Sequence, residues 1–289
     1  MLAGNNLNLY FHDNSKDTMP LSTYNLKIKI HFSNTNVAFF FFADRIIVAS
    51  GVDAHPDTPR IASEVIDLNN PDVKCDALQY LSRSFATGGF LPKDKPLICG
   101  GISNEDHQQV LQDCIIIGDS TTNLVMSIER AFSASIVLTN GKLWITGGGN
   151  NDKVLNTTEY IFADMDPGIP DFGPELPYPM AGHCLAPIGD QNEVLIIGGK
   201  IVTDSGEEMI SNKIFVAAPI NTNEIDEIEL QLDTKRMDHS CGVIYNDVAP
   251  IVIVAGGITR IGNNTFPYLD SVEIIGPTLD VHKKGKEKT

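Results

Sequence analysis

The stretch Ile136-Val137-Leu138-Thr139-Asn140-Gly141-Lys142-Leu143-Trp144-Ile145-Thr146-Gly147-Gly148 decides how the whole chain is read. Two apolar runs flank Asn140-Gly141. Both of these residues tolerate the left-handed backbone of a type I′ turn, so the segment is expected to be an antiparallel hairpin. Its second run is apolar without alternation, which suits a strand covered on both faces. That run ends in a glycine pair, where the missing Cβ lets a neighbouring backbone approach and permits positive φ as the chain leaves the sheet.

The same ending recurs along the chain. Leu97-Ile98-Cys99-Gly100-Gly101, Leu195-Ile196-Ile197-Gly198-Gly199 and Ile253-Val254-Ala255-Gly256-Gly257 repeat it, and Ile47-Val48-Ala49-Ser50-Gly51 is a weaker copy. The final glycines, Gly51, Gly101, Gly148, Gly199 and Gly257, are 47 to 58 residues apart. A period near 50 residues marks a repeat array. After each ending a polar loop leads to a third apolar segment: Ser63–Asp67, Asp113–Ile117, Thr158–Phe162, Lys213–Val216 and Ser271–Ile275. A fourth, outer strand is legible at Thr122–Ile128 and at Ile225–Leu232, where acidic and apolar residues alternate as on an edge facing water. No segment has helical periodicity, so the expected class is all-β.

The residues that lead into each hairpin carry a family resemblance. They read Arg83-Ser84-Phe85-Ala86, Arg130-Ala131-Phe132-Ser133, Met180-Ala181-Gly182-His183-Cys184 and Arg236-Met237-Asp238-His239-Ser240-Cys241. Followed by a hydrophobic strand and Gly-Gly, this resembles the kelch repeat, over about residues 37 to 276. The resemblance implies a β-propeller of kelch-type four-stranded blades, with five recognisable units and a partial sixth. Units are expected at about 37–83, 84–131, 132–182, 183–238 and 239–276. Residues 1–36 would form a partial blade or strands that close the ring, and 277–289 a disordered basic tail. Gly51, Gly100, Gly101, Gly147, Gly148, Gly198, Gly199, Gly256 and Gly257 take the structural glycine positions. Two departures mark the repeats as divergent: the lone tryptophan, Trp144, is on an inner strand, and the tyrosine after the loop survives clearly as Tyr160.

Charge narrows the function. With 37 acidic and 21 basic residues the net charge is −16, which disfavours nucleic acid and anionic membrane surfaces as partners. The basic run Lys283-Lys284-Gly285-Lys286-Glu287-Lys288 reads as a solvated tail. The longest apolar stretch, 37–49, is interrupted by Asp44-Arg45 and is too short to span a bilayer. No leader-like pattern opens the chain, which favours a cytoplasmic location over export. Two glycosylation triplets, Asn156-Thr157-Thr158 and Asn263-Asn264-Thr265, would matter only in a secreted protein. Cys75, Cys99, Cys114, Cys184 and Cys241 are scattered without a Cys-x-x-Cys pair, so no disulfide or zinc framework is expected. His183-Cys184 and His239-x-Cys241 share one repeat position and are read as structural, leaving no metal and no cofactor. Gly147-Gly148-Gly149-Asn150-Asn151 lacks the spacing and following helix of a phosphate loop.

No catalytic constellation emerges, and the resemblance implies a non-catalytic scaffold, expected to be a monomer, that docks a protein through the loops of one propeller face. Those loops follow the glycines. Their candidate contact residues are His55, Asp57, Asp106, His107, Lys153, Asp204, Glu207 and Arg260, and their acidity points to a partner with basic character. The same resemblance offers an alternative, a secreted or surface carbohydrate-active oxidase of the galactose oxidase-like type. Arg83, Arg130 and Arg236 have two readings: they satisfy carbonyls or a carboxylate at blade junctions, or they line the central mouth and grip an acidic peptide.

Overall fold

The computed structural model describes residues 83–276 apart from 94, 104–108, 118–122, 164, 166–168, 189–192, 246–248 and 262–264, together with four earlier strands, Ala38–Phe42, Arg45–Ala49, Glu64–Asp67 and Asp76–Ala77. Among the described residues the chain is all-β, with no helix, and small antiparallel sheets succeed one another along it. Each main sheet is an up-and-down meander. The four early strands form the first sheet. Thr87–Leu91, Lys95–Cys99, Asp113–Ile116 and Asn123–Val125 form the second. Ala134–Val137, Leu143–Thr146 and Thr158–Ile161 form the third, and a bridge from Glu159 to Phe172 extends it. The fourth is Cys184–Ile188, Glu193–Ile197, Lys213–Ala217 and Ile225–Gln231, and the fifth is Ser240–Ile244, Ile251–Ala255 and Val272–Ile275. The first strand of each sheet lies against the first strand of the next.

The continuous apolar runs are explained by this stacking. Leu143–Thr146 is buried along its whole length. Leu143 and Ile145 join a cluster with Leu91, Leu97 and Ile116 of the second sheet, whereas Trp144 joins Val194, Ile196 and Phe215 of the fourth. Similarly, Leu195 and Ile197 pack on the opposite face with Val252 and Val254 of the fifth sheet. A strand with protein on both sides has no reason to alternate. The fifth sheet shows the converse: Val252 and Val254 are buried against the fourth sheet, while Ile244, Val272 and Ile274 are exposed.

Three of the lead-in arginines are structural. Arg130 is fully buried; its Nη1 donates to the carbonyls of Gly147 (2.8 Å) and Thr157 (3.0 Å), and its Nη2 pairs with Glu159 at 2.6 Å. Burial pushes its guanidinium below the usual arginine range, against the pull of the Glu159 charge. Arg236 repeats the pattern with Gly256, Ser271 and Glu273, and Arg83 with Gly100 and Asp113. Each arginine therefore ties the glycine ending to the third strand of its own sheet, and the reading in which these side chains grip a peptide is set aside. In the fourth unit Met180 stands where the others have arginine, and Phe215 where the third and fifth units have glutamate. Both are fully buried in one apolar cluster. One junction thus replaces an ion pair with hydrocarbon, an exchange that buried sites tolerate because a desolvated pair contributes little net stability.

Three expectations are corrected. The turn at Thr139–Gly141 is not type I′: Gly141 has φ 79°, Asn140 is not among the residues with positive φ, and the Gly141 amide donates to Leu138 O at 2.9 Å while the Leu138 amide donates to Lys142 O at 2.9 Å. That is a three-residue loop, a tight turn closed by one left-handed glycine. The stretches after the glycines are not plain loops either. Lys200–Val202 pairs with both Met180–Ala181 and Glu208–Ile210, Ile102–Ser103 pairs with Arg83–Ser84, and bridges link Ala131, Gly149 and Val154. Strands of two or three residues are too short to show alternation, so sequence alone reads them as coil. Finally, two disulfides are present: Cys99–Cys114, on facing residues of adjacent strands, and Cys184–Cys241, between the first strands of the fourth and fifth sheets. Pairs separated by 15 and 57 residues have no local spacing signature.

The readings of 1–36, 277–289 and Gly51 lie outside the described residues, whereas the other structural glycines directly follow the second strands of their sheets. Gly148 is the most informative of them. Its φ is +88°, and a Cβ there would meet Ala131 O at 2.5 Å and Ser133 Cβ at 2.9 Å. Gly148→Ala combines a left-handed alanine, roughly 1–2 kcal/mol, with that clash, and is expected to lower the urea midpoint well beyond Gly206→Ala. The latter position has φ +80° but open space around it. Equal losses in the two variants would contradict the close approach. Arg130→Met leaves Glu159 buried and unpaired and should cost about 3–5 kcal/mol, whereas Arg130→Met with Glu159→Phe, copying the fourth unit, should recover most of it. Chemical denaturation of the two variants measures this.

Candidate functional site at the lead-in bends

The lead-in segments meet at one end of the stacked first strands. Each contains one residue with a left-handed backbone: Phe85 (φ 55°), Phe132 (φ 57°), Gly182 (φ 64°) and Asp238 (φ 54°). Only one of these is glycine, so the conformation costs the other three roughly 1–3 kcal/mol each and persists because the surroundings impose it. Those surroundings are a relay of backbone hydrogen bonds. The Phe132 amide donates to Phe85 O (3.0 Å), the Gly182 amide to Phe132 O (2.9 Å), and the Asp238 amide to Gly182 O (2.7 Å). The Phe85 and Phe132 rings stack with centroids 4.0 Å apart.

Beside this relay opens a hollow of about 440 Å³. Its floor is made by the bends, including Phe132, Gly182 and Asp238, and its walls by the hairpins after the glycines of three units. These contribute Ile102 and Val110, then Asn150–Val154, then Lys200 and Glu208. The walls are held rigidly. The Asn150 side-chain oxygen caps the amides of Asp152 (3.0 Å) and Lys153 (2.9 Å), and Lys200 Nζ pairs with Glu208 at 3.1 Å across its ladder. Asp238 carries a charge that its setting disfavours. Burial raises its pKa above the usual carboxylate value, and the nearby Lys200 charge pulls it back in part. Strain and an unfavourably placed charge in the floor of a concavity are the signs of a site kept for use and not for stability.

The predicted contact residues fall around this feature unevenly. Lys153 lines the hollow. Asp204 and Glu207 are exposed in the turn of the hairpin that also supplies Lys200 and Glu208. Arg260 is exposed on the corresponding segment of the fifth unit and is not among the lining residues. His55, Asp57, Asp106 and His107 lie outside the described residues. Phe132, Lys200, Glu208 and Asp238 were missed. The signal that could have found them is positional, since Phe85, Phe132, Gly182 and Asp238 occupy the same place two residues after the lead-in Arg or Met.

His183 and His239, the next residues after Gly182 and Asp238, turn inward. His183 Nε2 is 2.7 Å from Thr146 Oγ1, and burial, reinforced by His239, holds its ring down at about pKa 3. Burial and then the Arg236 charge hold His239 at about 4, against a weaker pull from the Ile197 backbone. Both rings are neutral at pH 7. Among the described residues no helix is long and apolar enough to cross a membrane.

No protein-family model matches the chain, and no curated protein matches it. Among solved structures, that of YjhT is similar over 84% of this chain and 82% of its own, with a TM-score of 0.66 at 17% identity. At that identity the likeness concerns the fold alone, and it and the succession of small sheets are both consistent with a β-propeller-like fold.

The Asp238 carboxylate gives a signed expectation. Because its folded-state pKa is raised, the folded protein takes up that proton more readily than the unfolded chain, so the charge costs stability above the carboxylate range and nothing below it. Asp238→Asn should therefore raise Tm at pH 7, with the gain disappearing as the pH falls through the carboxylate range. Thermal melts at both ends of that window decide the matter.

Proposed function

We propose that this chain is a kelch-type β-propeller acting as a binding scaffold and not as an enzyme, and that it docks a protein segment of basic character at the central mouth. The observation that carries this reading is the convergence of post-glycine hairpins from three units on one hollow, walled by short ladders and floored by left-handed bends. Rigid walls lower the ordering cost of binding, and rim side chains are free to differ between repeats. Asp152, Glu208 and Asp238 share the lining with Lys153 and Lys200, and Asp204 and Glu207 add acidity outside it. The net charge of −16 supplies long-range attraction for a cationic partner. Phe132 offers an aromatic surface at the centre, where a buried anchor would be most effective.

An immobilised library of Lys- and Arg-containing peptides, probed with the purified chain, tests this directly. Peptides captured by the wild type should lose about tenfold or more in affinity on Asp152→Asn, Asp204→Asn and Glu207→Gln together, since several interfacial charges exceed 1.4 kcal/mol in sum. Asp226→Asn with Glu229→Gln, on the exposed outer strand Ile225–Gln231, should leave the same affinities unchanged. Equal losses in both variants would reduce the interaction to net charge and sink the proposed face.

A further inference from the structure

The junctions between successive first strands hold one variable pair of side chains. Between the second and third sheets the pair is Thr87 and Ser135, joined by a 2.6 Å hydrogen bond between their hydroxyls. Between the fourth and fifth sheets the corresponding residues are Cys184 and Cys241, whose Cα atoms are 5.9 Å apart. A third group stands beside them. One ring nitrogen of His239 and the two sulfurs all lie within 4.8 Å of one another, with Cys184 and His239 buried and Cys241 partly buried. Beyond a weak interaction with the Ile197 backbone, neither nitrogen of the His239 ring has a well-formed hydrogen bond among the described residues, although the residue is only 7% exposed. The same repeat position holds Ala86 in the second unit, Ser133 in the third, and in the fourth His183, which bonds Thr146. A disulfide has no use for an imidazole. A buried imidazole whose nitrogens are this poorly satisfied is costly unless a ligand takes one of them.

We propose that Cys184, Cys241 and His239 form a redox-gated site for a thiophilic divalent cation, zinc in the first instance, at the junction of the fourth and fifth sheets. A dithiol reductant opens the disulfide and is itself oxidised to a disulfide, and Cys184 and Cys241 take up its two electrons and two protons as thiols. Zinc then displaces both thiol protons. Two thiolates balance the dication, so no net charge is buried, and the third ligand is the imidazole. Cys₂His is a donor set for zinc that leaves a fourth coordination position for water or a ligand. His239 follows Asp238 of the mouth directly and Cys184 is two residues beyond Gly182, so the cation would sit just beneath the floor of the hollow. The oxidised protein has the disulfide and no site; the reduced protein has the site.

Cobalt and zinc titrations of the full chain, in the oxidised form and after dithiol reduction and chelator treatment, test this. The reduced wild type should bind about one equivalent of Co²⁺ with thiolate-to-metal charge-transfer absorption that Zn²⁺ displaces, while the oxidised form shows none. Cys184→Ser and Cys241→Ser should each abolish the band, His239→Ala should weaken binding by roughly tenfold or more, and Cys99→Ser with Cys114→Ser should bind as the wild type does. Circular dichroism of the reduced wild type provides a readout that needs no variant. A reduced chain that keeps its native spectrum without taking up cobalt overturns the proposal, as does one that unfolds on reduction and is not recovered by zinc. A band that persists in Cys184→Ser assigns the metal to other cysteines and overturns it equally.

Discussion

The array rests on a backbone hydrogen bond made between units. In three successive endings the amide of the final glycine donates to the carbonyl of the next unit's lead-in residue: Gly101 to Arg130 (2.9 Å), Gly148 to Met180 (2.7 Å) and Gly199 to Arg236 (2.8 Å). Both partners are main chain, so the bond survives the change from arginine to methionine at the acceptor. It does require a left-handed φ at the donor and no Cβ on the glycine before it, because the acceptor carbonyl would lie 2.3 Å from a Cβ at Gly100 or Gly147 and 2.8 Å from one at Gly198. The glycines recur for this reason, and the side chains around them drift.

A second layer of interaction is chosen junction by junction. Arg130 with Glu159, and Arg236 with Glu273, link the glycine ending to the third strand by charge, whereas Met180 and Phe215 fill the same place with hydrocarbon. Geometry at this position is thus set by the backbone, and side chains only need to fill the volume without stranding a charge. The same latitude explains Thr87 with Ser135 at one first-strand junction and Cys184 with Cys241 at another. An array whose register is fixed by main-chain bonds can place polar, apolar or redox-active chemistry at equivalent sites without refolding.

This division also decides what could be read before any coordinates. The second strands and the five third strands were legible to within a residue or two, because short apolar runs stand out between polar loops and the glycines mark where the second strands end. The outer strand Ile225–Gln231 was legible because one of its faces meets water. The short ladders after the glycines were not, since two paired residues carry no period, and the turn at Gly141 was misassigned because Asn-Gly suits more than one loop geometry. The disulfides escaped because their halves belong to different strands or different sheets. Of the mouth, Lys153 and the hairpins were visible as polar segments. Phe132 and Asp238 were not, because nothing about a phenylalanine announces a left-handed backbone that its neighbours impose.

That imposed conformation is the strongest reason to place function at the mouth. A left-handed phenylalanine or aspartate lowers stability, and glycine at Gly182 shows that the relay of bends accepts a residue without that cost. Three of four positions nevertheless carry a side chain, two of them aromatic and one a carboxylate that burial disfavours. The main-chain relay would be made equally well by four glycines. What four glycines could not supply is the shape and charge of the floor beneath the converging hairpins, so it is the floor, and not the fold, that these side chains serve.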